Sequence, residues 1–150
     1  MRIGQGIDIH RFSDDPDRPL VLGGVVIEGA RGLGGHSDAD AVLGAVGLGD
    51  LGRHFPDTDP VWEDADSTGL LAQVVALAAE QGYAALNADC TVVADTPRLA
   101  PYTDAMTARL SEVLGAPVSV KASRAEGLGA LGRAEGIACF ATVLMGPVPA

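Results

Sequence analysis

Several features are scarce in this chain, and each scarcity excludes a class of protein. Aromatic residues make up only 4% of the 150 residues, so the core has to be built from aliphatic side chains. Two cysteines are too few for a disulfide framework. No apolar run approaches the roughly 20 residues that a membrane-spanning helix needs, and the first residues have no apolar core of the signal-peptide kind. We therefore expect a cytoplasmic protein with no membrane partner.

Positive charge is scarce as well. The 10 Lys and Arg residues are outnumbered by 20 Asp and Glu residues, which gives a formal net charge of −10. A field of this sign repels nucleic acid and anionic membranes, and no basic run offsets it. A small phosphate ester could still be bound, but backbone amides, a metal ion or a few arginines would have to hold it locally.

The residues that are present indicate one globular domain spanning residues 1–150, with 47% hydrophobic and 20% charged residues. The predicted strands are Arg2–His10, a hairpin of Leu20–Leu22 and Val25–Ile27 around Gly23-Gly24, then Ala88–Val93, Val118–Lys121 and Ile137–Met145. The predicted helices are a short one after Ser37–Asp40, one from Asp66 or Ser67 to Gly82, and one from about Pro101 to Leu114.

This order of elements predicts an α+β fold, in which a mixed four-stranded sheet and an N-terminal hairpin have helices on one face. The last predicted strand, Ile137–Met145, is apolar at nearly every residue. A strand with one solvated face should alternate instead, so we expect both faces of the sheet to be covered. With helices on one face, the other face is predicted to be an oligomer interface.

Asp8 and His10 are the first candidates for chemistry. They lie two apart on a predicted strand, so their side chains leave the same face. A carboxylate and an imidazole placed in this way can share one Zn²⁺, which takes nitrogen and oxygen ligands. A surface Asp–His pair or a turn cap is the alternative, and these two residues alone do not decide between the readings.

Three further segments offer weaker signals. His36-Ser37 lies between a Gly-rich loop and a helix start, where backbone amides favour phosphate; a plain cap is the alternative. The acidic loop from Asp50 to Asp59 suits hydroxyl groups or a divalent cation, although exposed turns look the same. In the segment Lys121–Arg133, Glu126 could bind Mg²⁺ and the cationic side chains could bind phosphate, unless it is only a surface loop.

The order of the motifs is more specific than any one of them. The chain contains, in sequence, Ile3-Gly4-x-Gly6-x-Asp8-x-His10, Leu22-Gly23-Gly24, His36-Ser37-Asp38-Ala39-Asp40, Gly49-Asp50-Leu51-Gly52, Phe55-Pro56-Asp57-Thr58-Asp59-Pro60 and Arg133-Ala134-Glu135-Gly136. Along nearly its whole length it resembles the 2-C-methyl-D-erythritol 2,4-cyclodiphosphate synthase family of the non-mevalonate isoprenoid pathway.

The resemblance implies a phosphorus–oxygen lyase that carries out an intramolecular phosphoryl transfer. The 2-phosphate of a cytidine-diphospho-methylerythritol attacks the β-phosphorus, which closes a cyclic diphosphate and expels CMP. Positioning and charge neutralisation dominate such a reaction. The family uses Zn²⁺ and either Mg²⁺ or Mn²⁺, and it forms homotrimers with active sites between subunits and a central cavity that could hold an isoprenoid diphosphate.

Carried over by position, Asp8 and His10 resemble the zinc ligands and Glu126 the magnesium or manganese ligand. The residues that resemble catalytic groups are His36 and Arg124. The predicted substrate-binding residues are Asp8, His10, His36, Ser37, Asp50, Gly52, Phe55, Asp57, Asp59, Ala94, Pro97, Arg98, Leu99, Ala100, Ser123, Glu126 and Arg133. Among them, Ala94 to Ala100 matches the stretch that cradles cytosine, and Arg133 matches an arginine facing the trimer cavity.

The chain departs from the family pattern at three places. The family's third zinc ligand is a His eight residues beyond the position of His36, where this chain has Gly44, as if about eight residues were absent after Leu43. Arg124 stands where the family has a threonine that assists the transition state, and Ala130-Leu131 replaces a Phe and a polar residue. These departures predict impaired turnover. The alternatives are a non-catalytic trimeric binding protein that keeps the nucleotide or isoprenoid-diphosphate pocket and, with less support, a generic metal-dependent phosphoesterase.

Overall fold

The computed structural model describes residues 1–34, 39–56 and 66–148. Its strands are β1 (Arg2–Arg11), β2 (Pro19–Leu22), β3 (Val25–Arg31), β4 (Tyr83–Val93), β5 (Val118–Ser123) and β6 (Gly136–Pro147). Its helices are α1 (Asp40–Val46), α2 (Leu51–His54), α3 (Ser67–Glu80), α4 (Thr103–Leu114) and α5 (Gly129–Gly132), with a 3₁₀ turn at Ala100–Tyr102. None of the helices in these ranges has the length and apolar character needed to cross a membrane.

The predicted mixed four-stranded sheet and the separate hairpin are confirmed. The sheet has the order β1-β6-β4-β5, in which β6 pairs antiparallel with β1 and β4, and β4 pairs parallel with β5. β2 and β3 form the hairpin. It turns at Gly23 and Gly24, whose φ angles of 54° and 75° suit a tight two-residue turn that side-chain-bearing residues rarely allow.

The structure also corrects several predicted bounds. β4 begins at Tyr83 instead of Ala88, because Tyr83 and Ala84 pair with the end of β6 across a register shift between Ala85 and Asn87. The acidic loop contains the short helix α2, and the segment Lys121–Arg133 contains the short helix α5. α3 starts as predicted, with the Asp66 Oδ1 atom accepting a hydrogen bond of 3.2 Å from the Thr68 amide.

The helices pack on one face of the sheet, here called the inner face. One buried cluster joins α1 and α3 to the sheet and includes Leu43, Val74 and Val143. A second cluster joins the hairpin to α4 and includes Leu20, Ile27 and Met106. Both clusters are almost entirely aliphatic, as the low aromatic content predicts.

The opposite, outer face of the sheet is exposed in the single chain. Ile3, Ile7 and Ile9 of β1 are 72%, 51% and 64% exposed, and Phe140, which pairs with Ile7 on β6, is 40% exposed. The expectation that β6 is covered on both faces is therefore not met within one chain. Isolated exposed apolar residues are common, but four on one sheet face form a patch of the kind found at interfaces.

α1 approaches β1 so closely that only glycine fits between them. A Cβ atom on Gly4 would lie 1.8 Å from the Ala41 carbonyl oxygen and 2.7 Å from the Ala45 nitrogen. A Cβ atom on Gly6 would lie 2.8 Å from the Ala41 nitrogen. Because Ala45 lies at Gly4 and Ala41 at Gly6, α1 runs antiparallel to β1, and its N-terminus points towards Asp8.

We expect Gly4→Ala to lower the free energy of unfolding by at least about 2 kcal/mol, because the new methyl group would meet helix backbone that cannot rotate away. Gly44→Ala is the matched control. Gly44 is an exposed residue of the same helix, and its added Cβ would meet only the Gln5 carbonyl oxygen, at 3.9 Å. Alanine there should raise helix stability by up to about 1 kcal/mol. Urea denaturation measures both values, and equal effects of the two variants would contradict the packing described.

Candidate active site

Asp8 and His10 lie on the inner face of β1, as predicted. The strand alternates, so that Gly4, Gly6, Asp8 and His10 face the helices while the isoleucines face outwards. The His10 Nε2 atom lies 2.7 Å from Asp8 Oδ1, and the two side chains are 25% and 19% exposed. The glycines allow α1 to come close, and the two larger polar residues begin where that close approach ends.

The Asp8–His10 pair lines a cavity of about 160 Å³ between the sheet and the helices. The other walls are mostly apolar and include Leu33, Ala39 and Ile137. A carboxylate oxygen and an imidazole nitrogen 2.7 Å apart need to separate only slightly to share a zinc ion, since tetrahedral ligands at 2.0–2.2 Å lie roughly 3.3 Å from each other. The pair therefore fits two positions of a zinc site.

A third protein ligand is not found in the described part of the chain. Residues 1–34, 39–56 and 66–148 contain no group of three His, Cys, Asp or Glu side chains arranged to hold a metal ion. Gly44 lies beside Gln5, three residues from Asp8 along β1, which is roughly 10 Å. The Asp40 carboxylate, at the start of α1, accepts a hydrogen bond of 2.6 Å from the Leu51 amide at its Oδ1 atom.

A second group of predicted residues meets at the ends of β4 and β5. These strands are parallel neighbours, so the segments that follow them leave the sheet at the same edge. One cleft at this edge is lined by residues that the sequence analysis assigned separately to base binding and to phosphate or metal binding. They are Ala94, Arg98, Leu99 and Ala100 after β4, and Ser123, Arg124 and Glu126 at and after the end of β5. Pro97, which follows Thr96 through a cis peptide bond, is in the same turn but does not line the cleft.

Asp95 holds the two sides of this cleft together, and sequence reasoning did not single it out. Its Oδ1 atom accepts a hydrogen bond of 2.7 Å from the Ala125 amide, and Oδ2 accepts one of 2.9 Å from the Gly127 amide. These amides, Gly127 first, and the Arg124 guanidinium hold the pKa of Asp95 below its usual value. The side chain is only 11% exposed. The carboxylate therefore stays ionised and fixes the loop after β5.

The charged residues Arg124, Glu126 and Arg133, which follow β5, are exposed. Glu126 has a φ of 54°, a left-handed conformation that residues other than glycine rarely adopt. The Arg124 Nε atom lies 4.0 Å from Asp95 Oδ1, and its side chain is 66% exposed. Arg133 donates a hydrogen bond of 2.6 Å from Nε to Glu135 Oε1.

The acidic loop is described only in part. Asp50 caps α2, since its Oδ1 atom accepts a hydrogen bond of 3.0 Å from the Arg53 amide, and Gly52 lies in that short helix. Phe55 is buried, with 5% exposed. Four predicted site residues lie outside the described residues: His36, Ser37, Asp57 and Asp59.

Comparison with known proteins agrees with this architecture. A family model described as the YgbB family matches residues 1–146. A 2-C-methyl-D-erythritol 2,4-cyclodiphosphate synthase from Geobacillus kaustophilus is 54% identical over 155 aligned positions, which cover 96% of this chain and 97% of the relative. Since 96% of 150 residues is about 144, about 11 aligned positions are occupied only in the relative.

Two solved structures are similar over almost the whole chain. The CDP-bound form of a 2C-methyl-D-erythritol-2,4-cyclodiphosphate synthase has a TM-score of 0.83 and 34% identity, covering 97% of this chain and all of that one, 100%. The bifunctional IspDF from Campylobacter jejuni has a TM-score of 0.90 and 37% identity over 98% of this chain, which spans 42% of that longer protein.

The family model and the similar structures place this chain in a family of α+β lyases. The chain belongs to the YgbB family, whose curated relatives are named 2-C-methyl-D-erythritol 2,4-cyclodiphosphate synthase. The resemblance inferred from the ordered motifs is thereby confirmed.

Proposed function

We propose that this chain converts 4-CDP-2-C-methyl-D-erythritol 2-phosphate into 2-C-methyl-D-erythritol 2,4-cyclodiphosphate and CMP. The observation that carries the proposal is the cleft at the ends of β4 and β5, where the stretch after β4 meets Arg124 and Glu126. A solved structure with the same fold has CDP bound, which supports a cytidine nucleotide as the ligand.

The reaction makes and breaks one bond to the β-phosphorus. An oxygen of the 2-phosphate forms a bond to that phosphorus, and the bond to the oxygen bridging it to the α-phosphorus breaks, so that CMP leaves with the electron pair. Arg124 lines the cleft, and its guanidinium can neutralise phosphate charge as it develops. Residues 94, 97, 98, 99 and 100 would hold the cytidine, with Ser123 at the edge of the phosphates.

The two metal sites are part of the proposal. Asp8 and His10 would bind Zn²⁺, and Glu126 would bind Mg²⁺ or Mn²⁺. When bound, these ions would withdraw charge from the phosphate oxygens and hold them in position. Asp50, Gly52, Phe55, Asp57 and Asp59 would bind the methylerythritol part of the substrate, because carboxylates and turn backbone suit hydroxyl groups.

His36 is proposed as a ligand of the substrate's phosphate, the role that the family resemblance implies, because an imidazole N–H group can donate a hydrogen bond to a phosphate oxygen. A His36→Gln variant should therefore lose turnover but keep its zinc, as measured by CMP release and by elemental analysis. Loss of zinc from this variant would contradict the proposed role.

The outer face of the sheet would form the interface of a homotrimer, with active sites between subunits. Ile3, Ile7, Ile9 and Phe140 supply its apolar centre. In such an assembly Arg133 would face a central cavity, where it could bind an isoprenoid diphosphate.

Turnover tests the proposed reaction against the binding-protein alternative. With Zn²⁺ and Mg²⁺, the purified protein should release CMP and cyclic diphosphate in equal amounts, as followed by ³¹P NMR and chromatography. Arg124 and the shortened α1 region should make it slower than the Geobacillus relative. Asp8→Asn should lose turnover but keep CDP binding, because the cytidine side of the cleft is on other strands. CDP binding without any CMP release by the wild-type protein would instead support the non-catalytic alternative.

Sedimentation tests the assembly. The wild-type protein should have three times the 15.2 kDa mass of one chain. Ile7→Glu should dissociate the trimer, because it would bury an unpaired carboxylate at the centre of the interface. Val26→Glu is the matched control, since Val26 is 50% exposed but lies on the hairpin, and that variant should remain trimeric. A monomeric wild-type protein, or a trimeric Ile7→Glu variant, would contradict the proposed interface.

A further inference from the structure

The most unusual polar arrangement outside the predicted site residues is the carboxylate of Asp95. It lies two residues after the end of β4, yet its hydrogen bonds go to the loop that follows β5, 30 and 32 residues further along the chain. The Ala94 amide also donates a hydrogen bond of 3.1 Å to the Ser123 carbonyl oxygen. Three hydrogen bonds therefore join the two walls of the cleft.

The loop held by Asp95 needs this support. Glu126 and Gly127 are successive residues with positive φ angles of 54° and 75°. Successive amides in such a conformation point into one concavity that binds an anion. Here the Asp95 carboxylate fills the concavity, so the amides of Ala125 and Gly127 are already used and are not available to a substrate phosphate.

The contacts of Asp95 also constrain the positions of Glu126 and Arg124. Glu126 lies between the two amides that Asp95 accepts, so its backbone position is set by that carboxylate. Arg124 is on the other side of Ala125, with its guanidinium 4.0 Å from the same carboxylate. The two residues proposed to meet the phosphates are therefore linked through Asp95 to the segment proposed to hold the base.

We propose that Asp95 is a positioning residue on which the coupling of nucleotide and divalent-cation binding depends: its hydrogen bonds join residues 94–100 to the loop after β5 and hold Glu126 where it can reach a cation beside the phosphates of the bound nucleotide. The inference rests on the proposed function for the identity of the nucleotide. Coupling of this kind is reciprocal, so the cation must also strengthen nucleotide binding, by the same factor. The amide hydrogen bonds, Gly127 first, lower the pKa of Asp95, because they stabilise its ionised form, the form that accepts at both oxygens.

Calorimetric titration of CDP into the purified protein, once with Mg²⁺ and once with EDTA, measures this coupling. In the wild-type protein we expect Mg²⁺ to strengthen CDP binding by at least about fivefold. In Asp95→Asn, the amide NH₂ group would oppose one of the two backbone N–H donors, so the effect of Mg²⁺ should fall below about twofold. A purely structural role would instead weaken CDP binding equally with and without Mg²⁺.

Two further variants serve as the positive and negative controls of the experiment. Glu126→Gln removes the cation ligand and should also abolish the Mg²⁺ effect. Glu112→Gln removes one carboxylate from an exposed ion pair with Arg109 at the far end of α4, and it should behave as the wild type. If Asp95→Asn does not fold, Asp95→Glu is used, since it keeps the charge but displaces the carboxylate and should reduce the Mg²⁺ effect.

A Mg²⁺ effect of wild-type size in Asp95→Asn, or in Asp95→Glu where that variant replaces it, would overturn the role of Asp95 while leaving the proposed function intact. A wild-type protein that binds CDP equally well with Mg²⁺ and with EDTA would overturn the coupling. A wild-type protein that binds no CDP under either condition would overturn the coupling and the proposed function together.

Discussion

The close contact between α1 and β1 is the constraint on which the rest of the structure depends. The helix lies directly on the strand because Gly4 and Gly6 offer no side chain, and a single added Cβ at Gly4 would collide with the helix backbone. This contact fixes which face of β1 is internal. Asp8 and His10 continue that face beyond the helix, where a carboxylate and an imidazole meet at the edge of an apolar cavity.

A second constraint, the parallel pairing of β4 and β5, builds the other half of the site. Parallel neighbours end at the same edge of the sheet, so the stretch from Ala94 to Ala100 and the loop after Ser123 become two walls of one cleft. Asp95 joins these walls through backbone hydrogen bonds. Strand direction and pairing thus bring together the residues that we propose to bind metal and nucleotide.

Local patterns in the sequence predicted much of this arrangement. The period of two placed Asp8 and His10 on one face of a strand, and Gly23-Gly24 marked the hairpin, because both features depend on neighbouring residues only. The ordered motifs predicted the family. The early start of β4 was missed, since Tyr83 is strand because of its pairing with Pro147, which local pattern does not contain.

The role of Asp95 was missed for the same reason, because its partners are amides about 30 residues away and amides carry no sequence signal. The position of Gly44 shows how counting residues can mislead when helix length changes. Counted forwards from His36, Gly44 takes the place of a zinc ligand, but in the fold it lies beside Gln5 and away from Asp8. The register of α1 on β1 is set by the contacts of Ala41 and Ala45 with the two glycines.

The central claim is that the inner face of β1 presents Asp8 and His10 to a zinc ion. The most direct measurement is the zinc content of the protein after dialysis against a limiting free-zinc buffer, determined by elemental mass spectrometry for the wild type and for Asp8→Asn. We expect about one zinc per chain in the wild type and a loss of most of it in the variant, since a ligand is removed from the site. A wild-type protein without zinc, or an Asp8→Asn variant that retains it fully, would contradict the claim.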